Sequence, residues 1–107
     1  MKTHVIRLTY GNDLKESIKQ YCIQNNIQAA TILSSVGCLY EVNIRLAGGK
    51  DYYKNSKEYE IISLNGTVSI NGIHLHISLS GQTLRCMIHI HQYWGRLFPF
   101  SWRCMDL

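Results

Sequence analysis

The stretch GIHLHISLSGQTLRCMIHIHQ, residues 72–92, decides the fold, because apolar and polar residues alternate along it on both sides of one glycine. Alternation with a period of two marks strands that bury one face and leave the other open. Gly81-Gln82 suits a two-residue type II′ turn, which needs glycine at its first central position, and this sets Ser80 across from Thr83. Counting back, Leu79 faces Leu84, Ile77 faces Cys86, Leu75 faces Ile88 and Ile73 faces Ile90, an all-apolar row that must be core. The opposite face carries His74, His76, Ser78 and Ser80 on one strand and Thr83, Arg85, Met87, His89 and His91 on the other. Four of the chain's five histidines therefore share one face, with His74 directly across from His89 and with His76 and His91 on the diagonals.

Imidazoles at cross-strand spacing can converge on one ion. Neutral histidines bind zinc at ~2.0–2.1 Å, and three of them with a water make an open, Lewis-acidic site, whereas a structural site is closed by a fourth protein ligand. The competing reading is four histidines that are solvated or lie in an interface. No carboxylate falls on this face within the two strands, so a group to orient the ligands must come from elsewhere, with Glu41, Glu58 and Glu60 the candidates by chain proximity. Ordinary catalytic signatures are absent: there is no G-x-S-x-G elbow, no H-E-x-x-H, no Walker loop and no G-x-G-x-x-G.

Upstream, residues 3–10 (THVIRLTY) suggest a strand ending at Gly11. Asp13 followed by Glu16 fits a capping box, and Leu14, Ile18, Tyr21 and Cys22 then share a helical face that runs out near Asn25 and Asn26. Short strands are expected near 29–34 and 38–46, joined around Gly37, and the Gly-rich polar segment 47–58 is expected to be an exposed loop. Tyr52 and Tyr53 in that segment either stack on a ligand ring or lie against their own domain. From Tyr59 to Ile70 another strand is expected, in which Asn65-Gly66 is either a tight turn or a bulge. One helix against six or more strands in hairpin order predicts an α+β domain with a largely antiparallel sheet.

Length and composition agree with a single domain over 1–107: of 107 residues, 46% are hydrophobic and 17% charged, which suits one core and argues against disorder. No stretch approaches the ~20 apolar residues of a spanning helix, and the start MKTHVIRLTYGNDL lacks the apolar core of a signal peptide, so a cytoplasmic location is expected. Cys22, Cys38, Cys86 and Cys104 are widely spaced with no C-x-x-C pair, and read as reduced, mostly buried thiols. The formal charge of +4 is scattered among acids rather than gathered into one basic face.

Several blocks together resemble the plant and prokaryote conserved domain, or PPC domain: IQAATILSSVGCLYEVNIRL at 27–46, EYEIISLNGTVS at 58–69 and GIHLHISLSGQ at 72–82, after the start VIRLTYGNDLKESI. The resemblance covers about the first 82 residues. It implies an α+β fold on an antiparallel sheet, a homotrimer and, in prokaryotic stand-alone members, a histidine-held metal near the subunit boundary. Carried over by position, the family's H-x-H pair falls on His74 and His76 and its arginine on Arg45. The family's third histidine follows a Gly-Gly run that LRCMIHIHQ lacks, so His89 takes that place and His91 stands in reserve.

The expected function is thus a trimeric protein with a zinc-type or other divalent transition-metal site at His74, His76 and His89, without established catalysis. Two alternatives accompany it. One is a DNA-binding or regulatory module, whose affinity for DNA would be weak and nonspecific because no Arg-Gly-Arg hook is present. The other is a small metal-dependent hydrolase or lyase using metal-bound water. The tail, residues 92–107, departs from the family pattern, although Phe98, Phe100, Trp102 and Cys104 alternate with Pro99, Ser101, Arg103 and Met105 as an edge strand would. Its aromatic row is either core or cover for a partner subunit.

Overall fold

The computed structural model describes residues 1–82, 86–92 and 102–104. In chain order its elements are α1 (Leu14–Gln24), β1 (Ala29–Thr31), β2 (Cys38–Arg45), β3 (Tyr52–Asn55), β4 (Tyr59–Ser69), β5 (Gly72–Ser80), β6 (Cys86–Gln92) and β7 (Trp102–Cys104). The strands form one antiparallel sheet along the path β3-β2-β4-β5-β6, with β1 attached to β4 and β7 to β2. This is the α+β architecture that the pattern predicts.

β5 carries the alternation faithfully: Ile73, Leu75, Ile77 and Leu79 are 3% exposed or less, and the residues between them are half-buried. They join Leu39, Val42 and Ile44 of β2, Leu64 and Val68 of β4 and the apolar face of α1, Leu14, Ile18 and Cys22, in one core. The helix starts as its sequence requires. The Asp13 carboxylate accepts from the Glu16 backbone N–H at 2.9 Å, satisfying one of the donors that a helix start leaves open.

Four expectations need correction. Residues 3–9 form no strand: Thr9 N–H and Oγ1 both bond the Asn12 side chain, at 2.8 and 3.1 Å, while Leu8 alone tucks against the core and Val5 is 90% exposed. Two alternating side chains with no neighbouring strand to pair do not hold an extended segment in register. Within the supposed loop 47–58, residues 52–55 instead form β3, which pairs with β2 from Arg45↔Tyr52 to Val42↔Asn55.

The Asn65-Gly66 pair is neither turn nor bulge; it lies inside β4, and the irregularity falls earlier, between Ile61 and Ser63. Finally, β5 and β6 do not reverse at a two-residue turn. Ser80 pairs with Cys86, a bulge follows opposite Ser78 and Leu79, and His76 then meets His91 where the tight turn would have placed Met87. Leu84, with its neighbours Thr83 and Arg85, lies outside the described residues. In the tail, Trp102–Cys104 does pair with β2 as a strand, while Phe98, Pro99 and Phe100 lie outside the described residues.

Candidate metal centre

His74 and His76 stand at alternate positions of β5, so the burial of Ile73, Leu75 and Ile77 on the core face directs both imidazoles to the opposite one. Both are half-buried, and their rings lie 5.0 Å apart between centroids with planes 40° apart. Their Nε2 atoms are 3.0 Å apart. Two nitrogens this close cannot both carry a proton: either one N–H donates to the other's lone pair, or both lone pairs face one cation. Two zinc-bound nitrogens at ~2.0–2.1 Å and the tetrahedral angle stand ~3.3–3.4 Å apart, so a small opening of the pair fits it to an ion.

The neighbouring strands set what surrounds this pair. On β4, Thr67 lies across from His74 and Asn65 across from His76. On β6, His91 lies across from His76 and His89 across from Ser78. The expected His74–His89 partnership is therefore replaced by His76–His91, with His89 two positions along the strand. Among the described residues, no group of three His, Cys, Asp or Glu side chains is placed to hold an ion.

Gly66 is the residue that sequence reasoning misplaced and that positions the pair. It faces Leu75, the residue between the two histidines, and a Cβ at Gly66 would lie 2.0 Å from the His74 carbonyl oxygen and 2.8 Å from the Leu75 Cα. Its φ of +151° is one that side-chain-bearing residues rarely adopt. The signal was present in the sequence, since a glycine inside a strand pattern marks close backbone approach as readily as a turn.

Of the other candidates, Arg45 ends β2, and its guanidinium packs beneath the turn at Gly49, 3.4 Å from where a Cβ would be. That turn is closed by Leu46 N–H to the Asp51 carbonyl at 2.9 Å. Glu60 is engaged with Cys38, whose thiol is pushed up to about 11 by burial and by the bond to and charge of this carboxylate. Burial likewise pushes the Cys22 thiol up. Both are free thiols, as expected, and hold their protons. His4 bonds the Tyr21 hydroxyl through Nδ1 at 2.9 Å. No helix among the described residues is long and apolar enough to cross a membrane.

Comparison with known proteins places these features. The model of the Plants and Prokaryotes Conserved (PCC) domain matches residues 1–88. Among curated proteins, the bifunctional protein GlmU of Synechococcus sp. strain JA-3-3Ab is 34% identical over 80 residues, 75% of this chain and 13% of that protein. GlmU of Synechococcus sp. strain JA-2-3B'a(2-13) is 35% identical over 86 residues, 78% of this chain and 14% of that protein. The chain thus spans a small part of the curated relatives it matches. Among solved structures, a hypothetical protein from Salmonella enterica superposes with a TM-score of 0.77 at 29% identity, covering 92% of this chain and 68% of the other. A metal-containing protein from Archaeoglobus fulgidus superposes with a TM-score of 0.64 at 27% identity, covering 92% of this chain and 79% of the other.

Proposed function

Because the chain belongs to the Plants and Prokaryotes Conserved domain family, we propose that it is a metal-binding domain in which His74, His76 and a histidine of β6 hold a zinc-type divalent ion, and that it assembles as a homotrimer. The observation that carries the reading is the 3.0 Å approach of the His74 and His76 Nε2 atoms on a strand whose other face is fully committed to the core. The Archaeoglobus relative, described as metal-containing, adds support. Register favours His91 over His89 as the third donor, because it stands directly across from His76. Such an ion, bound by neutral imidazoles, supplies a Lewis-acidic position to an added ligand. The trimer is supported by apolar side chains left uncovered along one seam. Ile61 N–H bonds the Gly37 carbonyl at 2.8 Å, which brings the 32–37 segment beside β4, and Leu33, Val36 and Ile62 are 71%, 85% and 56% exposed there.

Metal analysis of protein purified without added metal tests the first part: about one ion per chain is expected, lost in the His74→Ala, His76→Ala double variant. A metal-free wild type whose thermal stability ignores added zinc overturns it. His91→Ala is expected to weaken binding more than His89→Ala. Sedimentation equilibrium tests the assembly, with a mass of three chains expected and a monomer overturning it.

A further inference from the structure

Away from the histidines, at the break between β3 and β4, Tyr53, Asn55 and Tyr59 form a closed hydrogen-bonded cluster. The two phenol oxygens are 2.5 Å apart, and the Asn55 amide nitrogen stands 2.8 Å from the Tyr53 oxygen and 2.9 Å from that of Tyr59. Asn55 has two N–H groups and gives one to each phenol. One proton remains for the short bond between the tyrosines, and burial decides who gives it. Tyr59 is 4% exposed and belongs to the core, whereas Tyr53 is half-buried, so a negative charge is costlier on Tyr59. Tyr59 therefore donates, and the Tyr53 oxygen receives two donors at once, the arrangement that steadies a developing oxyanion in active sites.

We propose that Tyr53 is an activated phenol, a nucleophilic site for small acyl-type electrophiles created by the convergence of Asn55 and Tyr59 on its oxygen. In the reaction the Tyr53 oxygen, its proton released to water, bonds to the acyl carbon, the bond from that carbon to the leaving group breaks, and the leaving group takes up a proton from water. The electrostatics agree with the geometry. The bonds from Asn55 and then Tyr59 hold Tyr53 below the ordinary phenol range, with the charge of Lys57 acting the same way against burial. Burial, and next the bond to Tyr53, push Tyr59 up to about 12. Each unit by which a phenol's pKa falls raises its ionised fraction at neutral pH about tenfold, and the ionised form is the nucleophile.

The test is limited acetylation with N-acetylimidazole followed by peptide mapping, in the wild type and in Asn55→Ala and Tyr59→Phe, each checked for folding by circular dichroism. Among the described tyrosines, exposure alone ranks Tyr10 and Tyr52 first, at 60% and 46% exposed. The proposal expects Tyr53 to be acetylated ahead of both in the wild type, and expects that lead to be lost in either variant. Tyr10 or Tyr52 reacting first overturns it, as does a Tyr53 lead that survives in either folded variant. If neither variant folds, a tyrosinate absorbance titration decides. One phenol ionising ahead of the rest, and missing from Tyr53→Phe, supports the proposal; a single common transition sinks it.

Discussion

β5 and β3 lie in the same sheet and owe their order to different forces. On β5 every second residue is buried to 3% exposure or less, and four aliphatic side chains hold the strand against α1, β2 and β4. β3 is four residues long and buries none of them fully; what fixes it is the β2 ladder and the polar cluster of Tyr53 and Asn55 with Tyr59. A strand held by burial tolerates little change in volume or backbone approach, whereas one held by hydrogen bonds at the rim gives way one bond at a time. The largest effect is therefore expected beneath β5. Gly66→Ala places a methyl group 2.0 Å from a backbone carbonyl, and neither strand can retreat without opening the core. We expect a loss of about 3 kcal/mol or more in urea denaturation, together with loss of metal binding. A fully stable Gly66→Ala protein would show that β4 and β5 are free to separate, and the contrast with β3 would collapse.

Leu75→Ala comes next. Leu75 is 1% exposed and sits between the two histidines, so truncation removes core contacts and leaves a cavity at a cost of roughly 2–5 kcal/mol. Tyr53→Phe, the matching change at β3, keeps its ring against the core and loses one hydroxyl, at about 1 kcal/mol. Equal midpoints for the two variants in the same denaturant series would contradict the division between the strands.

The same division explains what could be read from the residues. Strict alternation in IHLHISL fixed the inward row of β5, since any odd slip would bury the histidines. It could not fix the pairing with β6. The observed partner of His76 is four positions beyond the one that the tight turn would give, and an even shift keeps the alternating sets matched. Pattern thus placed the histidines on one face but set His74 opposite His89, whereas the register observed sets His76 opposite His91. β3 was hidden for another reason: KDYYKN follows two glycines, is rich in polar residues and is too short to show a period, and its partners come from β2 and Tyr59. The helix start needed only local chemistry, and Asp13 and Glu16 supplied it.

An alkaline transition probes the boundary between the two regions, where Cys38 pairs with Glu60 at the start of β4. The Cys38 thiol is raised from 9.0 to about 11, chiefly by burial. A raised pKa means that the folded state holds a proton which the unfolded chain gives up, so this contribution is complete below pH 9 and is lost as the pH climbs towards 11. Tyr59 acts with the same sign between 10 and about 12, and Tyr53, whose pKa is lowered, acts with the opposite one. Cys38→Ala is thus the cleaner probe. Its unfolding free energy should fall less steeply than that of the wild type between pH 9 and 11, and parallel curves would mean that the thiol is as well solvated folded as unfolded.

The smallest effect is expected at Gly48, in the turn that leads into β3. Like Gly66 it has a positive φ, +88°, but nothing lies within 4 Å of where its Cβ would be. Alanine there meets only the intrinsic resistance of an L-residue to left-handed backbone, about 1 kcal/mol, with no neighbour to displace. Gly48→Ala and Gly66→Ala are the same chemical change at a turn glycine and at a glycine inside β4, so the difference between their unfolding free energies reports the close packing at Gly66 together with its more extended backbone angle. If the two cost the same, the approach of β4 to β5 contributes nothing beyond its dihedral angle, and the placement of the histidine pair needs another cause.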